Sequence, residues 1–82
     1  MITNSNDTRL PHIIVKATLL GDVSLIRAWR EYFELTQQVL ADRTGLSQPA
    51  LARLEKVGAN PRVSTLKKLA AAMGITVEQL GD

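Results

Sequence analysis

The side chains of this chain best suited to chemistry are amides and guanidinium groups, and they gather between Thr36 and Pro61 (TQQVLADRTGLSQPALARLEKVGANP). A glutamine can bond an adenine edge through both ends of its amide, and an arginine can do the same to guanine. Gln48 follows Ser47, a natural helix N-cap, and a first-turn glutamine in that place has no duty in a core. Pro49 and Arg53 are four residues apart, so on a helix starting at Ser47 they share a face, while Leu51 and Leu54 take the opposite one. Arg53 therefore projects away from the core and is the best candidate for reading bases. Pro49 has no donor and offers only shape or contact with a thymine methyl. The free N–H groups at the start of that helix carry partial positive charge, which suits a phosphate.

Other chemistries find little support. There are no cysteines, which excludes a disulfide framework and any thiolate metal site. The single histidine, His12, cannot hold a metal alone and reads as a surface residue. No Ser/His/Asp set, no acid pair in a shaped pocket and no Gly-rich phosphate loop appears, so neither catalysis nor a cofactor is expected. A net charge of +2 is a mild basic excess, too small to mark a nucleic-acid binder by itself; the placement of the basic residues decides. Aromatic residues make up 4% of the chain, leaving little for stacking on single-stranded bases. The longest apolar stretch, Ile13 to Leu20, falls short of the roughly 20 residues of a membrane span, and Lys16 interrupts it. The N-terminus lacks the charged region and apolar core of a secretory signal, so a cytoplasmic location is expected.

With 82 residues there is material for one small domain. Residues 1–10 are polar and rich in Asn, Ser, Thr and Asp, the composition of a disordered tail. Pro11 opens a short helix over residues 11–21, with Ile13, Ile14, Ala17 and Leu20 as its apolar stripe and Val15 and Leu19 broadening it. Gly21-Asp22 ends it through the left-handed conformation that glycine accepts. The remaining domain spans residues 22–82. Ser24 caps its first helix, with Ile26, Trp29 and Phe33 on one face and Tyr32 off that stripe. Thr36 opens the next, with Val39, Leu40 and Ala41 inward. Thr44-Gly45 ends it, and Gly45 supplies the backbone freedom of a tight turn. Leu46 plugs the turn, and Ser47 starts the helix of Leu51 and Leu54, which Gly58 terminates. Ser64 or Thr65 starts a helix through Met73, and Thr76 caps a last turn from Val77 to Leu80. Helix, short glycine turn and helix form the unit that can lay its second helix in a DNA major groove.

The chain resembles the Cro/C1-type helix-turn-helix proteins, also called the Xre family. The resemblance runs through Ile26-x-x-Trp29-Arg30, Leu35-Thr36-Gln37-Gln38-x-Leu40-Ala41, Thr44-Gly45-Leu46-Ser47-Gln48, Leu51-x-x-Leu54-Glu55 and Leu66-x-x-Leu69-Ala70-x-x-Met73-Gly74-Ile75, covering roughly Ser24 to Leu80. It implies an all-α, five-helix lambda-repressor-like DNA-binding domain, here with an additional short N-terminal helix. It also implies that Gln37 and Gln48 lie at the DNA face, that Gln48, Pro49 and Arg53 face base edges with Ser47 capping their helix, and that Arg43 and Arg62 stand near phosphates. For Arg62 a plain loop charge is the equal alternative. Arg30 and Glu55 match a pair that forms a salt bridge between two helices. Glu34 departs from the family, which usually has Gly there; a non-Gly residue is costly if that backbone is left-handed.

A narrower resemblance, through Pro11-His12-x-x-Val15 and the run Ile26-Arg27-Ala28-Trp29-Arg30-Glu31-Tyr32, points to Xre-type antitoxins, which repress their own operon and bind a toxin. The expected function is a sequence-specific repressor on double-stranded DNA, acting as a homodimer whose contact surface is the N-terminal helix or the last turn. The alternative is a protein-interaction module whose main task is to neutralise a partner toxin through the helix of residues 11–21.

Overall fold

The computed structural model describes residues 10–81, and the helices come in the expected order. They are α1 (His12–Leu20), α2 (Leu25–Tyr32), α3 (Gln37–Thr44), α4 (Gln48–Leu54) and α5 (Val63–Met73), followed by a single 3-10 turn (Val77–Leu80). Among the described residues there is no strand. The tail expected over residues 1–10 lies outside the described residues except for Leu10, which packs at the edge of the core.

Local chemistry explains most boundaries. Ser24, Thr36 and Ser47 each accept a hydrogen bond from the backbone N–H three residues on, those of Arg27, Val39 and Ala50. Each satisfies one donor that a helix start would otherwise leave unpaired. Thr76 and Gln79 form a reciprocal capping box on the 3-10 turn. Gly45 closes α3 at φ +76°, a left-handed step that costs a glycine nothing.

Three boundaries differ from expectation. Gly21 stays right-handed at φ −95°, and Asp22 makes the left-handed step at φ +55°. Aspartate is among the few residues that tolerate it, so the turn needs no glycine there. α4 stops at Leu54 with Glu55 as its C-cap, and Gly58 (φ +87°) belongs to the following connection. α5 begins at Val63, ahead of Ser64 and Thr65, and its N-cap Arg62 makes no side-chain cap. The Arg62 carbonyl instead accepts from the N–H groups of Thr65 and Leu66, and the burial of Leu66 holds the first turn down.

The core is one cluster. Ile26 and Trp29 of α2, Leu40 and Ala41 of α3, Leu51 of α4, Leu66, Leu69, Ala70 and Met73 of α5, and Leu80 of the last turn are all buried. Ile14 of α1 joins the same cluster. Ala41 has no exposed surface, which lets α4 cross α3 closely. Trp29 donates its indole N–H to the Gln79 carbonyl at 3.0 Å and so ties α2 to the C-terminal turn.

The apolar stripe expected on α1 is mostly uncovered. Ile13 is 61% exposed, Leu19 75% and Leu20 77%, leaving Ile14 as the buried anchor. The cause is position: α1 packs chiefly on α2 and is covered on one side only. Phe33 and Val39, expected inward, are also exposed. Phe33 is the C-cap of α2, and its ring stacks on Trp29 with centroids 5.6 Å apart. At the next residue, Glu34 adopts φ +59°, so this chain takes the left-handed step with a side chain that disfavours it.

Candidate nucleic-acid interface

α3, the turn at Gly45 and α4 build the surface. The N–H of Leu46 bonds the Ala41 carbonyl at 3.1 Å, folding the chain back so that α4 lies across α3. Leu51 is fully buried and Leu54 is packed against the core, which fixes the rotation of α4. The opposite edge then carries Ser47, Pro49 and Arg53, all exposed, with Gln48 half-buried beside α3.

Behind this edge runs a continuous polar chain. Arg30 donates to Glu55 through Nε at 2.6 Å and Nη2 at 3.0 Å, and its Nη1 bonds the Leu35 carbonyl at 2.7 Å. Both partners are sheltered, the side chains being 11% and 3% exposed. A bidentate pair in which each guanidinium nitrogen also has an acceptor is the arrangement that tolerates burial. Glu55 also accepts from Nε2 of Gln37 at 3.0 Å, and Oε1 of Gln37 accepts from Nε2 of Gln48. The chain therefore leads from α2, through the end of α4 and the start of α3, to the first residue of α4.

The structure thus brings together Arg30, Glu55, Gln37 and Gln48. It leaves Arg43, Arg53 and Arg62 exposed, and their guanidinium groups have no hydrogen bond or ion pair among the described residues. Arg43 stands in the last turn of α3 beside Lys68 of α5, where the two line one shallow depression. Arg62 caps α5. Arg27, by contrast, is bonded to Glu31 at 2.9 Å, which raises its pKa and neutralises that part of α2.

The bond from Gln37 to Glu55 is the feature that sequence reasoning missed. The two residues are 18 positions apart, and no local pattern links them. The neighbourhood of Arg43 and Lys68 was equally hidden, because it arises only when α5 packs on α3.

The family profile described as Helix-turn-helix matches residues 26–80. The chain belongs to the helix-turn-helix family, of the Cro/C1 type. This helix-turn-helix chain is 42% identical over 55 residues to the immunity repressor protein of Bacillus phage phi105, covering 67% of the chain and 38% of that relative. It is 40% identical over 48 residues to an uncharacterized HTH-type transcriptional regulator of Haemophilus influenzae, covering 58% of the chain and 49% of the relative. The chain spans less than half the length of either. In fold it resembles the crystal structure of a hypothetical transcription factor, NHTF, from Neisseria, with a TM-score of 0.62 and 22% identity over 98% of this chain and 84% of the other.

Proposed function

We propose that this helix-turn-helix chain is a sequence-specific transcriptional repressor that binds double-stranded DNA as a homodimer and reads the major groove with α4. One observation carries the reading: α4 buries Leu51 and turns Ser47, Pro49 and Arg53 to solvent, with Gln48 held at their side. Arg43 and Arg62, exposed near the two ends of this surface in sequence, are the proposed phosphate contacts. The repressor and regulator names of the two relatives support the same reading. A domain this small makes few base contacts, so specificity calls for two half-sites about one helical turn, roughly 34–36 Å, apart.

The test is selection from a random duplex pool, followed by binding of the selected site across a salt series. An enriched palindrome bound with a steep salt dependence is the expected result, since each neutralised phosphate contributes a slope of about −0.9. Failure to enrich any site, or binding that ignores salt, ends the reading.

A second reading, neutralisation of a toxin encoded in an operon that the chain itself represses, draws on the uncovered face of α1. Ile13, Leu19 and Leu20 are exposed there, and an amphipathic helix can lie in a partner's groove. Removing α1 is a poor test because Ile14 belongs to the common core. Charged substitutions at Leu19 and Leu20 are the better variants. If they spare toxin inhibition, α1 is not the neutralising element.

A further inference from the structure

We infer that Glu55 sets the direction in which Gln48 presents its amide, and so acts as a positioning residue for base recognition. The inference rests on the proposal that α4 reads DNA. It follows from the chemistry of donors and acceptors along the buried polar chain. An ionised carboxylate only accepts hydrogen bonds. Glu55, pinned by the Arg30 guanidinium through both its oxygens, can therefore meet Gln37 only at the nitrogen end of its amide. That leaves the Gln37 oxygen facing α4. An oxygen demands a donor, so Gln48 must turn its own nitrogen towards Gln37. Every amide in the series has one allowed orientation, and the charge that dictates it sits on a residue that is itself 5% exposed.

The consequence for recognition is directional. Among the described residues Gln48 retains one unbonded N–H on the side near Gln37 and an unbonded oxygen on the other side. An ordered donor–acceptor doublet matches adenine, which offers an acceptor at N7 and a donor at N6. Guanine offers two acceptors and repels the oxygen end. If the series were cut, the Gln48 amide would rotate by half a turn at little cost, and the doublet would lose its order. Arg30 and Glu55 thereby do more than join two helices: their ion pair anchors the end of a relay that finishes at the DNA-facing edge.

The experiment compares the whole chain with Gln37→Leu and Glu55→Gln, and with the double variant, by selection from a random duplex pool and by affinity for the enriched site against an unselected pool. The base position assigned to Gln48 is the one whose preference Gln48→Ala erases. Gln37→Leu keeps the Arg30–Glu55 pair intact, so it cuts the relay without breaking the buried ion pair. We expect each single variant to lose about twofold of the adenine preference at that position, because only one of two equally accessible amide orientations is then competent. The preference is taken as the ratio of affinities for the enriched site and the unselected pool, read where far-UV circular dichroism shows each variant folded, so a uniform loss from Gln37 at the DNA face or from the broken Arg30–Glu55 pair cancels. The double variant should lose no more than either single one, because both act on one series. Parent-like preference in folded Gln37→Leu overturns the inference, and so do additive losses in the double variant. A parent chain that enriches no sequence at all overturns the DNA-reading function as well, a result distinct from a parent that selects a site the variants select equally.

Discussion

Arg53 and Pro49 stand one turn apart on α4, exposed on the side away from Leu51. For Arg53, substitution by alanine should weaken binding to the selected operator by about 1–3 kcal/mol while leaving affinity for unrelated duplexes nearly unchanged. Competition binding with both DNAs measures this, and a uniform loss would make Arg53 a phosphate contact. Glu34 is the residue at odds with its backbone. Its φ of +59° lies where a side chain crowds the carbonyl, and its N–H is committed to the Glu31 carbonyl at 2.9 Å, so the conformation is held. Glu34→Gly should raise stability by about 1 kcal/mol, since a left-handed non-Gly residue costs roughly 1–2 kcal/mol and glycine gives some of that back in chain entropy. A rise in melting temperature of about 4–8 °C is the corresponding reading for a domain of this size. An unchanged melting temperature would mean that Glu34 gains a compensating contact.

At the scale of elements, α4 is the most dependent on its ends. It has seven residues, too few to form alone in water, and combines a Ser47 cap, a proline in the first turn and one fully buried leucine. Ser47→Ala should cost about 1 kcal/mol, visible as a lower denaturant midpoint with an unchanged slope. α1 presents the opposite situation, being nine residues long with an acceptable anchor in Ile14 and three large apolar side chains in solvent. That exposed apolar surface is the proposed contact. The 3-10 turn is a weaker candidate for self-association, because its Leu80 is already buried in the monomer's core.

For the whole molecule, the expected assembly is two copies on one palindromic site, with α1 as the proposed contact. Leu19→Lys together with Leu20→Lys should convert dimer to monomer in sedimentation velocity, and the melting temperature should lose its dependence on protein concentration, which only an associating parent shows. Operator affinity should fall sharply in the same variant. A parent chain that is already monomeric on and off DNA would refute this arrangement. The buried Arg30–Glu55 pair has the reverse profile: removing one partner strands a buried charge and costs roughly 3–5 kcal/mol, a large share of the stability of about 5–15 kcal/mol typical of a small domain.

The amino-acid sequence alone determined what depends on near neighbours. Ser24, Thr36, Ser47 and Thr76 announced their helices because a cap bonds a backbone N–H only three residues away, and Gly45 announced the turn because its backbone requires a left-handed step. The split of α4 into Leu51 within and Arg53 without follows from helical periodicity. Long-range packing decided the rest. Which side of α1 is covered depended on α2 being its main neighbour, so an apolar stripe that periodicity assigns to a core is left in solvent at Ile13 and Leu20. The link from Glu55 through Gln37 to Gln48 exists only because α2, α3 and α4 meet at one place, and contacts between residues far apart in the chain leave no trace in local spacing.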